Sequence, residues 1–385
     1  MLIVRLLFKN AFRHKFRAFL TILSITIAIL AFVMLRTVIG AWYAGADASS
    51  ASRLVSRNAV SIIFPLPLSY KDRIQQIDGV RLVSYGNWFG GIYIDEKNFF
   101  ANFAVEPKTY LDLYPEYVLA PKERNAFLKD RKAFAAGKKL AAKYGWKIGD
   151  IVTLRGTIYP GNWDFILRAI YHGKTDSVDE TQFFFHWAYL NETMKKTAPS
   201  RADEVGFYMI GVDNPDLSTS ISAAIDKSFK NSWAETLTET EKAFQQGFIA
   251  MSGAIITAIE TVSFVVIFIM LAVVANTMAM TTRERIGEYA ILKTLGFGGW
   301  AIGSLIAGES VIISLCGYFC GVALSFPAAA GFKQALGMYF PIFKVETVSL
   351  VMALVSSLIV AILAAIVPIQ RAIGIRIADG LRRIG

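Results

Sequence analysis

Four stretches of this sequence are apolar for the length of a bilayer, and that feature restricts the chain more than any other. They run over Ala18–Ile39, Ile255–Met280, Ala301–Phe326 and Val348–Ile369. A helix rises about 1.5 Å per residue, so about 20 apolar residues cross the hydrocarbon core. Of the 385 residues 54% are apolar, more than an ordinary soluble domain carries. The expected fold class is an α-helical integral membrane protein with four transmembrane helices plus a large extracytoplasmic α+β domain.

The formal charge of +10 raises the question of nucleic acid, and the placement of the basic residues answers it. Arg5, Lys9, Arg13, Lys15 and Arg17 precede the first run; Arg283, Arg285 and Lys293 lie between the second and third; Arg371, Arg376, Arg382 and Arg383 follow the fourth. The loop between the third and fourth holds only Lys333 and Lys344. Such sorting is the positive-inside pattern, which puts both termini in the cytoplasm and the large segment outside, with no nucleic-acid partner. The predicted division is 1–17 cytoplasmic, 18–39 first span, 40–250 external domain, 251–280 second span, 281–300 cytoplasmic, 301–326 third span, 327–347 external loop, 348–369 fourth span and 370–385 tail. A basic head, an apolar core and Ala44-Gly45-Ala46-Asp47-Ala48 also follow the order of a cleaved signal peptide, but an apolar run of about 20 residues exceeds a signal core.

Between the first two runs, strand-like and helical patterns alternate. Ala59–Phe64 is predicted as a strand stopped by Pro65 and Pro67, and Ser69 opens a helix closed by Gly79 before a strand over Val80–Tyr85. A basic helix over Phe127–Tyr144 and a strand over Ile151–Leu154 fall in a portion, about 117–190, read as a second subdomain inserted into the first. A strand over Val205–Val212 and a helix over Leu217–Phe229 complete the outer one. The aromatic groups Trp88, Phe89, Tyr93, Phe99, Phe100, Phe103 and Phe183–Trp187 are read chiefly as packing, with substrate contact as the alternative.

Chemistry is sparse. His14, His172 and His186 have no carboxylate or Cys at ligand spacing, and Cys316 and Cys320 fall inside the third run, so no metal site and no external disulfide are expected. Gly173-Lys174-Thr175 looks like the end of a phosphate-binding loop, but the Gly required five residues earlier is Arg168. No catalytic motif is present, so the chain is read as non-catalytic, binding no cofactor itself and drawing any energy from a partner.

The segment after the second run carries charges and apolar residues at helical spacing, with Ile286, Tyr289, Ala290 and Leu292 on shared faces and Gly296 as the stop. Its string Glu-Arg-x-x-Glu-Tyr-Ala-Ile-Leu-Lys-x-Leu-Gly, from Glu284 to Gly296 and preceded by Asn276-Thr277-Met278, resembles the coupling segment of ABC transporter permeases of the MacB, LolC/LolE and FtsX superfamily, the type VII mechanotransmission fold. Phe12–Ile25 resembles that family's elbow helix entering its first span. Pro368-Ile369-Gln370-Arg371-Ala372 resembles the exit from its fourth, Ile377–Arg382 its tail, and Gly145–Leu154 a strand of its external domain. The resemblance implies that Arg283, Glu284, Arg285, Glu288, Tyr289, Ile291, Leu292, Lys293 and Gly296 meet a separate cytoplasmic ATPase that binds ATP and Mg. It assigns Pro368, Arg371, Leu381 and Arg382 to the cytoplasmic exit and tail. It further implies a second permease copy or a homologous permease as dimer partner, a periplasmic adaptor or acceptor, membrane lipid, and an inner (plasma) membrane location. The implied function is export or extraction of a hydrophobic, lipid, lipoprotein or peptide cargo; the alternative is a sensor that controls an external partner without moving cargo. Two departures stand out. Gly287 lies inside the coupling helix, at a cost of up to about 1 kcal/mol against Ala, and in Asp379-Gly380, which stands where an acidic residue and Ala are usual, Gly380 takes the place of the Ala.

Within the spans, Glu309 is placed near mid-depth, as a hinge or polar contact or as a hydrogen-bonded packing residue. Glu260 is read as a solvated group near the outer interface. Gly317 and Gly321 form a Gly-x-x-x-Gly that brings another helix close, from a second copy or from the same chain.

Overall fold

The computed structural model describes residues 2–98, 100–336, 340 and 342–375. Phe99, Leu381 and Arg382, with the rest of the expected tail beyond 375, lie outside the described residues. The chain divides into two compact units, residues 1–41 with 252–336 and 343–385, and residues 42–251 with 337–342.

The first unit is a helical bundle. A ten-residue helix, Leu2–Ala11, precedes four long helices, Lys15–Ala48, Gly253–Glu284, Gly299–Leu336 and Thr347–Gly374, each long and apolar enough to cross a membrane. In hydrocarbon every backbone amide needs a partner within its own segment, which a helix alone supplies to a single strand of chain. The helices outlast the apolar runs: the fourth continues through Pro368 to Gly374, so Pro368 and Arg371, expected at its exit, lie inside it. Pro368 is buried and Arg371 exposed.

Small residues set the bundle's close approaches. Ser310 Oγ donates to the Ala361 carbonyl at 2.8 Å and Ser357 Oγ to that of Ser314 at 3.3 Å, drawing the third and fourth long helices together. A Cβ at Gly317 would lie 2.4 Å from Cγ2 of Ile25, and one at Gly321 would lie 2.8 Å from Cβ of Ile29. The Gly-x-x-x-Gly motif therefore seats the first long helix of the same chain, and Ile25 and Ile29 fill the space that a second copy would need. Cys316 and Cys320 are free thiols. Glu260, expected to be solvated, lies 3.9 Å from Arg36 of the first long helix.

The second unit is built on one continuous sheet. Its strands lie side by side in the order Thr236–Thr240, Arg53–Asn58, Phe207–Val212, Val80–Trp88, Asn102–Val105, Phe183–His186, Ala133–Gly137, Gly161–Gly173, Ile151–Gly156 and Gly91–Ile92. Strands from the two ends of the segment form one half and strands from its middle the other. The expected inserted subdomain is hydrogen-bonded into the same sheet, the junction being Val80–Trp88, Asn102–Val105 and Phe183–His186.

Two sequence expectations fail here for identifiable reasons. Ala59–Phe64 is not a strand: the Asn58 side chain accepts from the Val60 amide at 3.0 Å and the Phe64 amide turns back to the Ser61 carbonyl at 3.1 Å, so the strand ends at Asn58. Phe127–Tyr144 is not one helix but a helix Pro121–Lys129, a strand Ala133–Gly137 and a helix Lys138–Tyr144. All five residues of that strand are buried between two neighbours, where tertiary pairing overrides the helix propensity of Ala.

The aromatic residues form the core. Phe89 is packed by Tyr159, Trp163, Phe165 and Phe185 at centroid distances of 5.1 to 6.0 Å, and Phe183, Phe184 and Phe185 are all buried. His186 is buried with Nε2 2.7 Å from the Phe127 carbonyl oxygen, and burial lowers its pKa. A buried ion cluster ties the two ends of this unit: Arg53 donates to Glu241 and to Glu116, each at 2.7 Å, and Tyr114 Oη donates to Glu241 at 2.8 Å.

Replacing Gly317 by Leu drives a branched side chain into Ile25, an overpacking that costs about 1–3 kcal/mol or more. The thermal midpoint of the detergent-purified protein should fall clearly, whereas Gly331→Ala, with open space around its Cα in the same helix, should not lower it.

Candidate coupling site

The segment linking the second and third long helices is a short helix, Ile286–Thr294, held between two defined ends. At its start Arg285 breaks the preceding helix with φ −101° and ψ 11°, and its carbonyl accepts from the Tyr289 amide at 3.1 Å. Gly287 falls in the first turn, where backbone N–H groups have no partner four residues back, so its cost in helix hydrogen bonding is small. At the other end Gly296 adopts φ +89°, its amide donating to the Lys293 carbonyl at 3.1 Å and that of Phe297 to the Leu292 carbonyl at 3.0 Å. That is the left-handed terminating turn for which glycine is favoured.

Charged side chains seat this helix on the bundle. Arg285 Nη1 donates to Glu309 Oε2 at 2.8 Å and its Nε to Glu288 Oε2 at 3.0 Å, with its guanidinium 5.5 Å from the Tyr289 ring centre. The Arg285 and Glu309 side chains are only 10% and 5% exposed, so each is the other's principal compensation for lost water. Arg13 donates to the second oxygen of Glu288. Arg17 grips Glu284 with both terminal nitrogens, at 2.8 and 2.7 Å, and His14 Nε2 lies 3.7 Å from the same carboxylate. Lys293 Nζ donates to the carbonyls of Ile373 and Ile375, at 2.5 and 2.9 Å. Those groups lie at the end of the fourth long helix, where carbonyls lack helical partners and a cation is favoured. The nine-residue helix is thus bonded to Arg13 and to the end of the fourth long helix, while Arg285 and Glu284 just before it are bonded to the third and the first.

The structure redistributes the roles expected of these residues. Glu284, Arg285, Glu288 and Lys293 are engaged within the chain, and Tyr289 is buried. Glu309 is not an isolated mid-depth group, because it meets Arg285 just beyond the end of the second long helix. Arg283 and Gly296 are exposed and Leu292 is half-buried. Ile291 is exposed, and with it Leu295, Phe297 and Trp300, the last two 48% and 91% exposed. Sequence reasoning singled out Ile291 but passed over Phe297 and Trp300, whose signal was two bulky apolar residues just past a helix-ending glycine. It did not pair Arg13 and Arg17 with the short helix, having read them as topology signals and as part of the elbow segment.

Burial alone would raise the Glu288 carboxyl, but the bonds from Arg285 and Arg13 outweigh it and hold its pKa below the ordinary 4.5. Burial likewise pushes the Tyr289 hydroxyl up to about 12. Among the described residues no cluster of His, Cys, Asp and Glu has metal-binding arrangement.

Over 352 residues, 84% of this chain and 82% of the relative, the sequence is 24% identical to an uncharacterised ABC transporter permease of Methanocaldococcus jannaschii. Residues 260–377, which contain the short helix and most of its partners, match the FtsX-like permease C-terminal family. Among solved structures, the extracellular domain of the noncanonic ABC-type transporter YknZ from Gram-positive bacteria is similar at 12% identity and TM-score 0.35, over 49% of this chain and 98% of that one. The periplasmic region of MacB from Actinobacillus actinomycetemcomitans is similar at 8% identity and TM-score 0.36, over 51% of this chain and 92% of that one.

Because the folded-state pKa of Glu288 is depressed, its contribution to stability is complete above the unfolded value and is lost as pH falls through the folded one. The thermal midpoint should therefore drop as pH is lowered from neutrality through about 4 and below. Glu288→Gln should lower the midpoint at neutral pH and shrink that acid dependence, which a set of melting curves at graded pH measures.

Proposed function

We propose that this chain is the non-catalytic permease subunit of an ABC complex, and that the short helix with its following turn is where a separate ATPase, the binder of ATP and Mg, applies force. The supporting observation is the division of labour within Glu284–Trp300: Glu284, Arg285 and Lys293 are bonded to three long helices, while Ile291, Leu295, Phe297 and Trp300 stand exposed. Apolar groups on the outside suit a groove in a partner, since fully buried interface anchors are mostly aromatic and aliphatic. Ion pairs on the inside suit transmission, because a displaced helix drags what it is bonded to. A push on this segment then reaches the third long helix through Arg285 and Glu309, the fourth through Lys293 and the first through Glu284 and Arg17. Stiff helices carry the displacement outward and move the extracytoplasmic domain, driving export or extraction of a hydrophobic, lipid, lipoprotein or peptide cargo. In this reading both termini are cytoplasmic and the working complex contains a second permease, identical or homologous.

The test is co-purification from the native host in mild detergent. Wild type should bring down an ATP-binding subunit; Leu295→Asp combined with Trp300→Asp should lose it while keeping normal yield and thermal midpoint. Retention of the ATPase by that variant would overturn the docking assignment. Retained ATPase with no cargo released during turnover would instead favour the sensor that acts on an external partner.

A further inference from the structure

The N-terminal segment holds five basic residues, Arg5, Lys9, Arg13, Lys15 and Arg17, and the structure uses them differently. Arg13 and Arg17 are consumed by Glu288 and Glu284. Lys9 and Lys15 are exposed, and among the described residues neither takes part in an ion pair or side-chain hydrogen bond. Around them stand four exposed rings, Phe8, Phe12, Phe16 and Phe19, with Phe8 and Phe12 stacked at 6.4 Å and 8°.

The exposed apolar positions continue along the first long helix at Leu20, Leu23 and Ile27, which follow Phe16 and Phe19 at helical spacing. A helix that crosses hydrocarbon with those residues holds Phe16 and Phe19 at the boundary between chains and headgroups, where the apolar side of an interfacial segment packs. Lysines on flexible stems reach outward from that depth to charged headgroup oxygens. The charge is positive and the internal carboxylates are already spent, so the complementary occupant is an anion that also carries apolar chains.

We propose that Phe8, Lys9, Phe12, Lys15 and Phe16 form a binding face for anionic phospholipid, with the two lysines selecting the headgroup and the rings packing on the acyl boundary. The consequence is that the lipid holds the same corner of the bundle to which Arg13 and Arg17 anchor the short helix. The inference does not depend on the ATPase assignment and stands or falls without it.

Native mass spectrometry of the full chain, freed from detergent after exposure to equal amounts of phosphatidylglycerol and phosphatidylcholine, reads the selectivity directly. Wild type should retain phosphatidylglycerol in preference by about tenfold or more, since each lysine near such a surface contributes roughly fivefold. Lys9→Gln with Lys15→Gln should bring the ratio near parity, while the exposed pair Lys122→Gln and Lys147→Gln in the other unit leaves it unchanged. In wild type the preference should also collapse between about 0.1 and 1 M salt, as the screening length falls from about 10 to about 3 Å. Absence of preference in wild type, or its survival in the Lys9/Lys15 variant, would overturn the proposal. A preference surviving in that variant and abolished instead by the double aspartate substitution at Leu295 and Trp300 would assign the lipid to the other face.

Discussion

Arg285 and Glu309 are a full charge pair taken almost entirely out of water, and the arrangement of the bundle's charged end depends on them. Desolvating each ion costs several kcal/mol, which mutual attraction offsets only when geometry and further hydrogen bonds are good. Here the geometry is a 2.8 Å bond, and Arg285 spends its remaining capacity on Glu288 and the face of Tyr289. A hydrophobic pair of similar shape could be as stable. What the ion pair adds is direction: it fixes where the short helix leaves the second long helix and which turn of the third it meets.

The other contacts follow from that placement. With Arg285 anchored, Glu288 falls within reach of Arg13, and Lys293, at the far end, reaches the open carbonyls that finish the fourth long helix. The glycine turn at Gly296 then sends the chain back into the bundle at Gly299, leaving Phe297 and Trp300 outside. Arg285 and Lys293 are bonded inward beside the buried Tyr289 and Ala290, while Ile291, Leu295, Phe297 and Trp300 remain outside. Such an arrangement is intelligible for a segment whose outer face meets another protein and whose inner face must move several helices at once.

The spans and the short helix were legible in the sequence because each rests on local pattern: apolar runs of bilayer length, helical spacing from Ile286 to Leu292, and a terminating glycine. Their ends were less so. Helices persist past the apolar run wherever the backbone keeps its hydrogen bonds, as at Lys15 and from Pro368 to Gly374. In the other unit, Ala133–Gly137 reads as helix by composition and becomes strand by position in the sheet. The pairing of Arg13 with Glu288, of Arg17 with Glu284 and of Arg285 with Glu309 was not legible at all, because each joins residues far apart in the chain. Those pairings engage Glu284, Arg285 and Glu288 within the chain, which the local pattern of the segment does not reveal.

Whether the seat of the short helix is one coupled ion pair or two independent polar residues is decided by a double-mutant cycle of Arg285→Met and Glu309→Leu in mixed-micelle unfolding. Each single substitution should destabilise the protein by about 3–5 kcal/mol, by leaving the other charge buried and unpaired, and the double variant should lie much closer to wild type than the sum. Strictly additive effects would contradict the account.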